Sequence, residues 1–293
     1  MKAFGSFHPA VLLTYFVAII GIFMFASNPV MRVTALLGGI LFCLLLQKKR
    51  EIPGNLGFYI PLFLLVAVTN PLFSHAGVTP LFFLNGNPVT LEASVYGVFL
   101  AVTVIGVMMW CKCYSEIMTS DKFLFLFGSI VPKLSLTLSM AFRFLPLFVR
   151  RMKTVTTARR GLGLYSQRGF VDRIKGTGQV FLSVISWSLE NAMETSMSMR
   201  ARAYGKAKRT SFSLFRFTMR DGVMIFVTLL LFALTVTGMA SGATDFFFYP
   251  RIGELSLSPL AVTAYSSFAI LAFLPFVIEV RGALLWRYYI SRI

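Results

Sequence analysis

Six stretches of this chain run for about 17 residues or more almost without charge, and such stretches have few places to go. As helix at 1.5 Å per residue, each is long enough to cross a hydrocarbon core. They cover residues 10–27, 30–47, 57–73, 92–111, 223–240 and 260–280. Only Asn28-Pro29 separates the first two, which requires a tight turn, and an uncharged loop carrying Asn85-Gly86-Asn87-Pro88 joins the 57–73 and 92–111 pair. A hydrophobic content of 57% and a mean hydropathy of +0.76 exclude a soluble domain. The first apolar stretch does not read as a cleaved signal, because one lysine precedes it and no A-x-A site follows.

The basic residues orient these spans. Of 28 Lys and Arg, 26 fall at the N-terminus, in the 48–56 loop, between residues 112 and 222, or in the tail. With six spans these regions share one face, and only Arg32 and Arg251 reach the other. The positive-inside rule makes the rich face cytoplasmic and places both termini there. The net charge of +17 therefore reports topology and a cytoplasmic partner surface. It does not point to nucleic acid, since neither a soluble fold nor a stacking-aromatic module accompanies it. Anionic headgroups of the lipid bilayer also attract such residues, at about 1 kcal/mol each near the surface.

The chain divides into a four-span block (1–111), a cytoplasm-facing coupling-helix block (112–222) and a two-span block with a basic tail (223–293). In the middle block, Pro132 opens a helix over Lys133–Leu162, which Pro146 bends. Arg143, Arg150, Lys153 and Arg160 fall within a sector of roughly 100° on it, and Leu138, Phe142 and Leu145 occupy the remainder of its first half. A break at Gly161, Gly163, Ser166 and Gly169 precedes a second helix from Asp172, its expected N-cap, to Ala203. Phe181, Ile185, Leu189, Ala192 and Met199 share one face of that helix, with Glu190 and Glu194 opposite. Met193, Met197 and Met199 suit a surface that repacks. This apolar face serves either ordinary packing within the chain or a partner protein. The fold class is thus an all-α integral membrane protein, with about six transmembrane helices plus two long amphipathic helices on the cytoplasmic side.

Within this basic block one pattern occurs twice, 42 residues apart. Ala158-Arg159-Arg160-Gly161-Leu162-Gly163 is echoed by Arg200-Ala201-Arg202-Ala203-Tyr204-Gly205. Each copy sets an arginine at a helix C-terminus, then a small residue, a bulky apolar one and a glycine. Two matching tips imply two matching sockets on a partner. Arg160 and Arg202 are the primary candidates, flanked by Gly161, Ala201 and Ala203, with Arg143, Pro146, Tyr204 and Gly205 in support. Arg159 and Arg200 remain open as register-shifted substitutes. Cations at a helix C-terminus are also favoured by its dipole alone.

Catalytic chemistry is missing from the pattern. Gly205-Lys206 has Arg200 where a phosphate-binding loop needs its first glycine, and Ala207 follows. No GxSxG, HExxH or paired DxxxD occurs. Three cysteines make no disulfide framework, and Cys111-Lys112-Cys113 offers two thiols where a structural metal needs four ligands. No carboxylate sits mid-span, with Glu92 and Glu279 near span ends, so the relay of an ion-coupled transporter is absent. The expectation is a non-catalytic subunit without cofactor or metal, driven by a partner.

These residues resemble those of a known family, the transmembrane T component of energy-coupling-factor (ECF) transporters. His8-Pro9 and Asn28-Pro29 resemble the family's opening, and Thr119-Ser120, Pro132-Lys133-Leu134 and Met140-Ala141-Phe142-Arg143-Phe144-Leu145-Pro146 its proline-to-Arg-Phe-Leu-Pro segment. Ala158–Leu162 resembles the first Ala-Arg-Gly coupling motif, and Leu189-Glu190 through Met199–Gly205 the second. Ala203 stands where glycine is usual, and Arg200 where glutamate is usual. The resemblance implies a vitamin or transition-metal importer of the ATP-binding-cassette class in the plasma (inner) membrane of a prokaryote. In such an assembly, two ABC ATPase subunits and one small membrane substrate-binding (S) component join this multi-pass scaffold. The two arginine tips would then sit in grooves on the two ATPases. Two other readings compete. A conventional importer permease would form its own substrate path, and a lipid-directed membrane transferase would need a metal site or activated nucleophile that the sequence does not offer.

Overall fold

The computed structural model describes residues 3–47, 52–74, 76–84, 87–128, 131–163, 170–206 and 215–290. About 80% of the described residues are helical. The described residues form nine α-helices, a short 3-10 turn over Phe4–Ser6 and one two-stranded hairpin. The backbone separates into two compact units, Met1–Lys122 with Phe215–Ile293, and Phe123–Leu214.

The first unit holds α1 (Pro9–Phe25), α2 (Pro29–Leu46), α3 (Ile52–Phe73), α4 (Leu91–Ile117), α8 (Met219–Ala240) and α9 (Pro259–Ile290). Two of its helix starts follow the same local logic. Proline at the first helical position lacks the N–H that would be orphaned there, and the preceding side chain caps the next free donor. His8 Nδ1 accepts from the Ala10 N–H at 3.3 Å, and Asn28 Oδ1 from the Val30 N–H at 3.0 Å. The segment between α3 and α4, expected as a plain loop, contains antiparallel strands β1 (Pro80–Leu84) and β2 (Asn87–Thr90), with Phe82 opposite Val89 and Leu84 opposite Asn87. Asn85 and Gly86 lie outside the described residues.

Aromatic rings dominate the core of this unit: Phe4, Tyr15, Phe16, Phe42, Trp110 and Phe268 are fully buried. Their polar atoms are satisfied within the bundle. The Tyr15 hydroxyl donates to the Leu271 carbonyl at 2.8 Å, and Trp110 Nε1 donates to the Ala35 carbonyl at 3.0 Å. Gly106 permits the closest approach, since a Cβ there would stand 2.3 Å from the Phe23 ring. Buried carboxylates pin the N-terminal residues to the later helices. Asp221 Oδ1 accepts the His8 N–H at 2.8 Å, while Oδ2 accepts the Thr218 N–H and hydroxyl at 2.8 and 2.6 Å. Glu279 Oε2 accepts the Phe4 N–H at 2.9 Å.

Four of these helices, α2, α4, α8 and α9, are long and apolar enough to cross a membrane. Pro9–Phe25 and Gly57–Phe73 are apolar but shorter. The chain is therefore read as a multi-pass, predominantly helical membrane protein.

The second unit holds α6 (Pro132–Gly161) and α7 (Phe170–Ala201), and α5 (Ser120–Gly128) contains the division between the units. Pro132 opens α6 and Pro146 lies inside it, where the missing N–H deprives the Phe142 carbonyl of its usual donor. The helix boundaries correct two expectations. Asp172 is not the N-cap of α7, because the helix begins at Phe170 and places this carboxylate in its first turn, where it complements the dipole. Ala203 is not helical, because α7 stops at Ala201 and the chain then reverses hand. Ser166 and Gly169, expected in the break between the helices, lie outside the described residues.

Candidate functional site

The candidate site is built on α6 and α7, which run antiparallel. Near the C-terminus of α6, Arg159 Nη1 donates to the Gly176 carbonyl at 3.1 Å and Nη2 donates to Gln179 Oε1. Three turns earlier, Phe148 meets Trp187 edge-on at 6.1 Å between centroids, and the Arg151 guanidinium lies 5.4 Å from the same ring centroid. Partners thus advance along α7 as they recede along α6. Val180 and Val184, between these contacts, are buried. Because the pair is antiparallel, its two C-terminal ends point in opposite directions. Ala201 lies about 33 Å along the α7 axis from Gln179, at the helical rise per residue. One ligand of ordinary size cannot bridge the two tips.

Each tip closes on a left-handed residue whose N–H bonds back to an arginine carbonyl. In α6 the Gly163 N–H donates to the Arg160 carbonyl at 3.0 Å, and Gly163 has a φ of +72°. In α7 the Ala203 N–H donates to the Arg200 carbonyl at 3.0 Å, the Tyr204 N–H donates to the Met199 carbonyl at 3.0 Å, and Ala203 has a φ of +57°. The two bonds in α7 make a Schellman motif, which ends a helix by putting one residue in the left-handed region. That residue is normally glycine. For an L-residue the left-handed backbone costs roughly 1–2 kcal/mol. Ala203 is the one non-glycine residue at positive φ among the described residues. Gly205 then takes a φ of +87° as the Lys206 N–H bonds back to the Ala203 carbonyl at 3.1 Å, forming a second tight turn.

This capping sets a structural register that differs from the letter-by-letter echo. Arg160 and Arg200 each stand three residues before the left-handed position, and Leu162 and Arg202 each stand immediately before it. The spelling of the motifs pairs Arg160 with Arg202, whereas backbone geometry pairs it with Arg200. Both Arg200 and Arg202 are exposed, as are Arg160, Gly161, Ala201, Tyr204 and Gly205. Arg159 is half-buried and holds α6 to α7, with its Nε buried and without a hydrogen-bond partner. Arg143 and Pro146 lie exposed on the first half of α6, away from both tips. The expected basic stripe of Arg143, Arg150, Lys153 and Arg160 is exposed throughout.

Apolar side chains on α7 are exposed as well. Phe181, Leu189, Met193 and Met197 are 57–70% accessible, and Ala192 is also exposed, while Met199 is half-buried. These exposed apolar side chains are not covered by other described residues of the chain.

Trp187, Arg151 and Gln179 went unremarked in the sequence although they join the two helices. Their only local signal is Phe144, Phe148 and Arg151 at helical spacing on α6, which says nothing about which residues of α7 they meet. The cysteine arrangement also differs from its spelling. Cys113 lies against Cys43 of α2, within side-chain hydrogen-bonding reach, while Cys111 is exposed. Among the described residues, no group of three or more His, Cys, Asp or Glu side chains is placed to hold a metal ion.

No protein-family model matches the chain, and no curated protein matches it significantly.

Proposed function

We propose that this chain is the membrane scaffold, or T component, of an ECF-type importer. It carries force from two partner ABC ATPases to a small membrane substrate-binding component, for uptake of a vitamin or a transition-metal ion. The observation that carries this reading is the pair of arginine-bearing helix ends, each closed on a left-handed residue, at opposite ends of one antiparallel pair. Two such ends require two sockets a helix length apart, which a dimer of ATPases supplies and a single pocket does not. Arginine suits the task because its planar fork pairs bidentately with a carboxylate in a groove. Each desolvated contact of this kind is worth roughly 2–5 kcal/mol on truncation. The exposed apolar stripe of α7 offers the substrate-binding component a face on which to reorient, and its methionines allow it to repack. Nucleotide hydrolysis belongs to the partners, and this chain transmits the motion.

In this reading all six apolar stretches cross the inner membrane of a prokaryote and both termini are cytoplasmic. The 17-residue helix α1 stands at the short end of the spanning range of about 17–25 residues.

The test is affinity purification of the tagged chain from its native membranes in mild detergent, with subunit masses and ratios. Two ATPase chains and one small polytopic protein per copy are expected. Joint replacement of Arg160, Arg200 and Arg202 by Glu should remove the ATPases and abolish uptake. Normal assembly and transport by that variant would overturn the socket role. A homodimer with two ATPases and no small partner would favour a conventional permease instead.

A further inference from the structure

A groove of about 1170 Å³ opens where the start of α8, the end of α9 and the Phe4–Ser6 turn converge. Three arginines line it: Arg216 just before α8, Arg220 in the first turn of α8, and Arg281 in α9. All three are exposed. One carboxylate, Asp221, also lines the groove, but its oxygens already accept from the His8 N–H and from the Thr218 N–H and hydroxyl. The charge on offer at the mouth is therefore positive. Further along α9 the wall turns apolar through the half-buried Leu274 and Ile278.

Leu274 and Ile278 also belong to a shallow apolar slot, open on one side along a face of α9, which continues past Val277, Phe273 and Ile270. Every residue that lines this slot is apolar. From Arg281 to Ile270 is 11 residues, or about 17 Å of helix. That is close to half of a hydrocarbon core of about 30 Å, the depth of one leaflet. Three arginines beside an apolar strip about one leaflet long match the charge and length of an anionic lipid lying against α9. A free anion would use only the mouth. Basic pockets between membrane helices on the positive side recognise such headgroups.

We infer that the α8–α9 groove is a binding site for an anionic phospholipid, with Arg216, Arg220 and Arg281 holding the phosphate and the Ile270–Ile278 slot holding an acyl chain. The inference requires only that α8 and α9 cross a membrane, and it stands apart from the ATPase-coupling reading.

Native mass spectrometry of the full chain in detergent, titrated with dioleoyl phosphatidylglycerol and dioleoyl phosphatidylcholine, tests this. Wild type should prefer phosphatidylglycerol. Joint replacement Arg216→Gln, Arg220→Gln and Arg281→Gln should weaken phosphatidylglycerol binding on the order of a hundredfold, for three basic residues near a headgroup. Binding of phosphatidylcholine should change little, and Arg251→Gln should change neither. Ile270→Trp, at an exposed position that fills the slot without touching the arginines, should weaken phosphatidylglycerol as well. Equal phosphatidylglycerol binding by wild type and the triple variant would overturn the proposal. So would displacement of the lipid by inorganic phosphate together with no effect of Ile270→Trp, which would mark a site for a free anion.

Discussion

Ala203 closes α7 with the same left-handed residue conformation that Gly163 supplies at the end of α6, at φ +57° against +72°. Both donate their N–H to the carbonyl of an arginine three residues earlier. The two caps thus share this bond and the left-handed residue, but the α7 cap places an alanine where α6 has glycine and is strained there. Ala203→Gly should stabilise the α7 tip by about 1 kcal/mol, the left-handed strain outweighing the extra backbone entropy of glycine. A β-branched Val at the same place should destabilise it by more. Amide exchange over residues 199–206 reports both, and slower exchange in the alanine protein than in the glycine variant would contradict the strain argument.

Under the proposed ATPase coupling, the same caps predict which arginine of the second tip matters. If the backbone register governs docking, Arg200→Glu should weaken ATPase association as much as Arg160→Glu does, by roughly 2–5 kcal/mol, and Arg202→Glu by less. Affinities of the single variants for the ATPase pair decide this. A dominant effect at Arg202 would show that side-chain reach outweighs cap position.

Arg151 and Trp187 meet across the antiparallel pair, with the guanidinium 5.4 Å from the ring centroid. A cation–π contact at this exposure is worth about 0.5–1 kcal/mol. A double-mutant cycle of Arg151→Ala and Trp187→Ala, read by thermal unfolding, should return a coupling of that size. Trp187→Ala alone should cost more, since the edge contact with Phe148 is lost too. Additive effects would mean that the guanidinium and the ring do not interact.

Asp221 joins the N-terminus of α1 to that of α8 through His8 and Thr218. Asp221→Asn removes the charge and turns one acceptor atom into a donor facing either the His8 N–H or the Thr218 N–H and hydroxyl. A loss of about 2 kcal/mol is expected from hydrogen bonds to a charged acceptor, with easier proteolysis ahead of Pro9. An unchanged melting temperature in detergent would show that the link is dispensable.

Much of the architecture is legible in the residues because it depends on local properties. Apolar length marks α2, α4, α8 and α9, and proline with a preceding capping side chain marks the starts of α1 and α2. The amphipathic period of 133–203 anticipates α6 and α7, with helix limits misjudged by about two residues at Asp172 and Ala203. The error at the C-terminal end has an identifiable cause. A helix end is chosen by where the chain can adopt a left-handed residue and still bond its last carbonyls, and alanine does not advertise that choice.

By itself the sequence determined that the chain carries membrane-length apolar helices, where its positive charge is concentrated, and that two arginine-rich helix ends repeat. Hydrophobicity, charge and helical period are properties of neighbours along the chain, so they survive without a fold. Only the tertiary structure decided that α6 and α7 run antiparallel with their tips at opposite ends, that Arg160 corresponds to Arg200, that Cys113 faces Cys43, and that Arg216, Arg220 and Arg281 line one groove. Each of these depends on residues far apart in sequence meeting in a packed bundle, where burial and hydrogen-bond satisfaction select one arrangement from many that the same local pattern allows.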